Sequence, residues 1–417
     1  MAKQGYKVFD SDMHVVEPPD LWQRYIDPAY RATAPVGTKV RFRDIGLLVD
    51  GAPVSKNPQS RWKAALEAHM AEWNPYYAFA EERGWDGASQ VQAMDMEGID
   101  VAVLYPSRGL FVLGLDSTET VTERGMAPNR AAAIARAYND WMRDLCSAGP
   151  ARMYGAGMVA PHDIESAVSE TRRCVEDLGF KAIFLLPGRV NNRGWHDPYY
   201  DPLWAECQRL NIPVGFHGGG GDFLTPDFGL AQRELFMVWH AFSHSLGPMS
   251  AMAIMTAGGV FERFPKLQAG FLEANCSWAP WLLYRLDDHY EDYIGRFENP
   301  LRMKPSEYFQ RNRYVSVESD EVTVKSYVDF LGDDNVVFST DYPHPDSKFP
   351  HATERFLKLA LSKDTKRKFL WDNCARLYNL DSLPKSPPAR GGRARVGVEQ
   401  SAPANGSEAK AAGRRAR

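Results

Sequence analysis

Residues 8–14 read Val8-Phe9-Asp10-Ser11-Asp12-Met13-His14, two apolar side chains running into alternating carboxylates and a histidine. In an extended strand residues two apart share a face, so Asp12 and His14 are expected to aim at one spot. A carboxylate and an imidazole converging in this way form a metal-ligand pair; an Asp-x-His pair also occurs in turns that merely satisfy the histidine. Repetition along the chain favours the metal. His217 ends Ile212-Pro213-Val214-Gly215-Phe216, Glu273 ends Ala269-Gly270-Phe271-Leu272, and Asp341 follows Val336-Val337-Phe338-Ser339-Thr340.

Working outward from this stretch, eight short β-rich runs are expected at 7–11, 101–105, 153–159, 182–186, 213–216, 267–272, 314–317 and 336–339. Helical patterns lie between most of them. In 129–146, for example, Ala132, Ile134, Ala135, Tyr138, Trp141, Met142 and Leu145 recur at helical spacing. Strands alternating with helices imply parallel strands joined by crossovers, and eight such units predict a (β/α)8 TIM barrel. The strand C-terminal ends of that fold open onto one face, where its active sites sit. Asp12, His14, His217, Glu273 and Asp341 all stand at such ends.

A barrel needs ~250 residues, so a chain of 417 has a surplus. Residues 1–381 are read as the barrel. Within it, 28–90 is expected to be an inserted cap or dimer contact, containing Trp62, Trp73, Pro75, Tyr76 and Tyr77 without a clean strand–helix rhythm. A further extension covers 221–250, and a helical pair at 353–361 and 364–378 closes the barrel. Residues 382–417 hold eight Lys/Arg against two Glu with almost no large apolar side chain, and are expected to form a disordered basic tail.

The overall net charge is −4, so without its tail the body stands near −10, which argues against nucleic acid as a partner. No apolar run approaches the ~20 residues of a membrane span, and no apolar leader follows Met1, so a cytoplasmic protein with no membrane partner is expected. Cys146, Cys174, Cys207, Cys276 and Cys374 are scattered without a C-x-x-C pair and read as small buried residues. Gly218-Gly219-Gly220-Gly221 lacks the Lys-Ser/Thr of a phosphate loop and reads as an approach to the site.

Four motifs spread over nearly all of the first 380 residues resemble the amidohydrolase superfamily. They are Asp12-Met13-His14-Val15-Val16-Glu17-Pro18, Phe216-His217-Gly218, Gly258-Gly259-Val260-Phe261-Glu262-Arg263-Phe264-Pro265-Lys266-Leu267 and Ser339-Thr340-Asp341-Tyr342-Pro343-His344. Within the superfamily they resemble the amidohydrolase-2 branch, which includes aminocarboxymuconate semialdehyde decarboxylase and related aromatic-acid decarboxylases. The resemblance implies a divalent metal held by Asp12, in a place often taken by His or Glu, with His14, His217 and Asp341. Imidazole and carboxylate ligands suit zinc, iron or manganese.

Two departures bear on the reaction. Glu273 stands where the branch's decarboxylases usually have a histidine, and Trp239-His240-Ala241-Phe242-Ser243-His244 places two histidines at i, i+4. Glu273, His240 and His244 therefore either complete a second metal position or line the pocket, with Glu273 a lone acid–base group. Lys181 begins the fourth run rather than ending it, so a carbamylated bridging lysine is not expected.

The function expected is a metal-dependent hydrolase whose activated water attacks an amide, ester, lactone or thioester, with Asp341 or Glu273 taking the proton. A nonoxidative decarboxylase (carboxy-lyase) of an aromatic or unsaturated carboxylic acid is the first alternative, and a non-catalytic binding barrel the second. The partner is a small, apolar carbonyl or carboxylate substrate, and a homodimer is the expected assembly. Arg108, His196 and His344 are candidates for substrate binding. Glu17 is expected to orient ligands, while His69, His162, His289 and His351 lack supporting context.

Overall fold

The computed structural model of the chain describes residues 3–41, 44–54, 63–113, 126–218, 236–292 and 301–380. The expected tail, Trp62, and the first part of the 221–250 extension lie outside them. Among the described residues, eight strands form one parallel sheet. They are β1 (Phe9–His14), β5 (Val101–Tyr105), β6 (Met153–Met158), β7 (Ala182–Leu185), β8 (Val214–His217), β9 (Ala269–Leu272), β10 (Arg313–Val317) and β11 (Val336–Phe338), hydrogen-bonded in that order. With the helices between them they make the (β/α)8 TIM barrel that the alternation of runs predicts.

The strands β5, β7, β8 and β9 are buried along their whole length, as expected where helices cover one face and the barrel interior the other. The helix expected at 129–146 spans Pro128–Cys146, with Pro128 in the first turn, where its missing N–H costs nothing. Gly215 is required by a close approach. A Cβ there would stand 2.5 Å from the Tyr105 hydroxyl, which lies 3.2 Å from the Tyr378 hydroxyl inside the barrel.

Strand β1 departs from simple alternation. Asp10 pairs with Ala102 but Met13 with Leu104, so one extra residue is accommodated between them as a bulge. The bulge keeps Asp12 and His14 together at the strand end, while Asp10 is directed to another neighbour.

The segment 28–90 contains order that its sequence did not advertise. Strands β2 (Val36–Arg41), β3 (Asp44–Val49) and β4 (Ala52–Pro53) form an antiparallel sheet. Ile45, Leu47 and Val49 alternate inward, and both residues of the Asp50-Gly51 turn have positive φ, as a two-residue hairpin requires. Further on, Tyr77 packs on Tyr342 and Phe349, with ring centroids 5.7 and 5.1 Å away, and its hydroxyl lies 3.1 Å from Ser347 Oγ. The insertion thus rests on the loop that follows β11.

Glu97 ends the helix Gly87–Glu97 and offers a test of core electrostatics. One carboxylate oxygen accepts the Thr353 N–H at 2.7 Å; the other is buried with no hydrogen-bond partner. Burial pushes this carboxyl up to about 7. A carboxyl with a raised folded pKa favours folding fully below its unfolded value, and that contribution is lost as pH rises through the folded one. Between pH 4.5 and 7.5 the native chain is expected to lose on the order of 3 kcal/mol that a Glu97→Gln variant retains. Urea unfolding at several pH values measures the difference, and parallel curves for the two proteins would rule it out. No helix among the described residues is long and apolar enough to cross a membrane.

Candidate metal centre

Strands β1 and β8 bring three side chains to the mouth of the barrel. His217 Nε2 lies 3.2 Å from Asp12 Oδ1 and 3.1 Å from His14 Nε2, and His14 Nε2 lies 3.5 Å from Asp12 Oδ1. All three residues are buried. The outer ring nitrogens are committed elsewhere. His14 Nδ1 is 2.9 Å from the Pro106 carbonyl and His217 Nδ1 is 2.7 Å from that of Gly218, so each Nδ1–H donates to a carbonyl. In the neutral rings, each Nε2 then presents a lone pair to the other.

Two lone pairs converging at this distance repel unless something positive lies between them. The second oxygen of Asp12 is also buried with no hydrogen-bond partner, an arrangement that is costly unless compensated. Without a cation the site compensates with a proton. Burial works against charge on His217, yet Asp12 and Glu273 lift it to about 9. Burial, helped by His344 and His217, keeps His14 well below the usual imidazole range. Asp12, His14 and His217 could hold a divalent cation in the same place, since one donor atom from each lies within 4.8 Å of the others.

Glu273 and Asp341 flank this group from β9 and β11. Both have left-handed backbones, φ +49° and +56°, which non-glycine residues adopt only when their surroundings hold them there. Glu273 accepts contacts from three imidazoles, at 3.3 Å from His217, 3.5 Å from His244 and 3.7 Å from His344. Burial favours its neutral form, but His217, His244 and His344 hold it well below the usual carboxylate range. Asp341 Oδ1 lies 3.6 Å from His14 Nε2 and 2.6 Å from His344 Nδ1. Burial raises the Asp341 carboxyl well above normal.

His344 is oriented by Ser107, a residue absent from the sequence-based candidates. Ser107 Oγ donates to the Val15 carbonyl at 2.7 Å, and so accepts from His344 Nε2 at 2.9 Å. With Nε2–H fixed as a donor, the short bond from Nδ1 to Asp341 holds a single shared proton. Ser107 follows the end of β5 as His217 ends β8, so the strand-end rule that found the other residues pointed to it as well.

The remaining candidates are placed as follows. His240 and His244 stack on the helix Phe236–Ala257 with centroids 4.1 Å apart. His244 faces Glu273, whereas the carboxylate facing His240 is Asp346, at 3.8 Å. The second close group among the described residues is His14, Glu273 and His344, rather than Glu273 with both helix histidines. Arg108 opens the short helix Arg108–Phe111; its backbone N–H donates to Glu17 and its guanidinium lies over Phe111. Glu17 takes the Gly109 N–H too, and so shapes this loop. His196 is exposed, its carbonyl accepting from Arg263. Burial raises the Cys276 thiol well above normal, which leaves it a packing residue.

The chain is 27% identical over 323 residues to 2-amino-3-carboxymuconate-6-semialdehyde decarboxylase of Dictyostelium discoideum, covering 76% of this chain and 83% of that one. It is 26% identical to the gamma-resorcylate decarboxylase of a Polaromonas species, over 76% and 99% of the two chains. Its fold matches the 5-carboxyvanillate decarboxylase of Novosphingobium aromaticivorans, solved with bound manganese, at a TM-score of 0.65, 21% identity, and coverage of 91% and 98%. These relatives overturn the expectation of a hydrolase. The carboxylate of Glu273 in place of histidine points to water activation, yet both of these sequence relatives, named as decarboxylases, match over 76% of this chain. The family model described as "Amidohydrolase" matches residues 9–380, and the chain belongs to that family, in its amidohydrolase-2 branch.

Proposed function

We propose that the protein is a metal-dependent nonoxidative decarboxylase acting on an aromatic or unsaturated carboxylic acid. The observation that carries this reading is the 2.6 Å Asp341–His344 bond, whose Asp341 oxygen lies 3.6 Å from the cation-facing nitrogen of His14. Loss of carbon dioxide from such an acid breaks one C–C bond and forms one C–H bond, so each turnover consumes one proton at the carbon that held the carboxylate. The names of the relatives support the same reaction class.

Asp12, His14 and His217 would hold a divalent cation such as manganese, which supplies Lewis-acid anchoring for the oxygens of the acid. Asp341 delivers the shared proton to the carbon, and His344 Nδ1, left bare, takes up a replacement originating in solvent and shares it with Asp341 again. Ser107 keeps His344 turned towards Asp341 throughout. Glu273, 3.7 Å from His344, and His244, 3.5 Å from Glu273, continue outward, a route by which the consumed proton is replaced.

The test is a panel of hydroxylated benzoates and related unsaturated acids, offered to the manganese-loaded enzyme in heavy water. Carbon dioxide release is expected, with one solvent deuterium on the carbon that lost it. Failure to decarboxylate any member of the panel sinks the reading.

A further inference from the structure

Where the barrel closes, β1 and β11 share no ladder among the described residues, and side chains bridge the seam instead. Ser11 Oγ donates to the Phe338 carbonyl at 2.8 Å, and Ser339 Oγ to the Asp12 carbonyl at 3.1 Å. The third bridge is the carboxylate of Asp10. It accepts the Thr340 N–H at 3.3 Å, the Thr340 hydroxyl, and the Asp12 N–H at 3.1 Å. Asp10 and Thr340 are both buried.

These contacts place Asp10 between the two working carboxylates. On one side it fixes the backbone of Asp12, within the bulge that turns Asp12 to the cation position. On the other it fixes Thr340, which precedes Asp341 and whose Oγ1 also accepts the Tyr342 N–H at 3.3 Å. The Tyr342 carbonyl closes the circuit by accepting the His14 N–H at 2.6 Å. Asp341 has a left-handed backbone, so an outside hold is needed to keep it there.

We infer that Asp10 is a positioning residue: through Asp12 and Thr340 it sets the spacing between the cation's carboxylate ligand and the proton-donating Asp341. The role of Asp341 rests on the decarboxylase reading; the role toward Asp12 does not. Ser11, one residue away, bridges the same seam but reaches only the β11 backbone at Phe338, and so serves as the internal control.

Four variants separate positioning from general stability: Asp10→Ala, Thr340→Val, Thr340→Ser and Ser11→Ala. Manganese affinity is read by calorimetry, kcat and KM on an accepted acid, and Tm on the metal-free protein. Asp10→Ala is expected to weaken manganese binding by ~10–100-fold, the usual cost of losing a group that orients metal ligands. Thr340→Val is expected to lower kcat by ~10-fold or more with KM nearly unchanged, and Thr340→Ser, which keeps the hydroxyl, to restore it. Ser11→Ala is expected to lower Tm while leaving affinity and kcat in place. Equal losses of affinity and kcat in Asp10→Ala and Ser11→Ala, or an unaltered kcat in Thr340→Val, would overturn the inference. Should Asp10→Ala not fold, the Thr340 pair decides the matter. Should no acid be decarboxylated, manganese affinity still decides the Asp12 half, so failure of the two proposals can be told apart.

Discussion

Asp341→Asn is expected to lower kcat by ~10²–10⁴-fold, the range that a positioned general acid contributes, while the protein keeps its manganese. The amide is close in size to the carboxyl and can still accept a hydrogen bond, so the left-handed turn and the contact with His344 survive. What it lacks is a transferable proton. His344→Gln is expected to cost less, because Asp341 can still carry the proton and be reprotonated from solvent, only more slowly without the imidazole. The pair of measurements is kcat and bound manganese per chain. If Asp341→Asn loses its metal in proportion to its activity, Asp341 is a ligand and the proton must come from elsewhere.

His217→Ala carries the second large effect. Removing the imidazole from the end of β8 leaves Asp12 and His14 as the remaining members of the three-residue group. Loss of a direct ligand should exceed the ~10–100-fold penalty typical of a supporting residue, so manganese at ordinary concentrations should no longer saturate the site. Activity is expected to fall below detection and to return in part at high manganese. Asp12 then faces the barrel interior without the imidazole that now lies 3.2 Å from it. The ordinary outcome of that change is a carboxyl that takes up a proton. Full metal occupancy and activity in His217→Ala would place the cation outside this group.

The barrel itself was legible because its signal is local and repeated. Each strand is a short buried apolar run, each crossover a helical pattern, and the polar residues that matter sit where a run stops. The predicted run 182–186 differs from β7 by one residue at its end, and 213–216 is shifted by one residue from β8. The three-stranded sheet of β2, β3 and β4 leaves only a faint mark in the sequence, the alternation of Ile45, Leu47 and Val49 before Asp50-Gly51. Its signal is weak because the alternation is short and β4 is only two residues long. The bulge in β1 left no mark in the sequence, because an extra residue in a strand alters pairing without altering composition.

The reaction was harder to read than the fold. A carboxylate at the end of β9 and two histidines at helical spacing suggested a second ion and activated water. In three dimensions the helix histidines are divided between Asp346 and Glu273, and His344 moves into the group with Glu273. Sequence spacing gives the face on which a side chain stands; it does not say which neighbour from another strand meets it there.

By itself, then, the sequence determined the barrel and the mouth residues Asp12, His14, His217, Glu273 and Asp341, since strand ends and side-chain period are properties of the local chain. Only the tertiary structure decided how they are paired: His14 Nε2 against His217 Nε2, Asp341 against His344, and Asp10 holding Thr340 across the seam. The physical reason is that hydrogen bonds and metal coordination act over about 3 Å. These partners lie as far apart in the chain as Asp10 and Thr340, 330 residues, and only the closure of the barrel brings them within that reach.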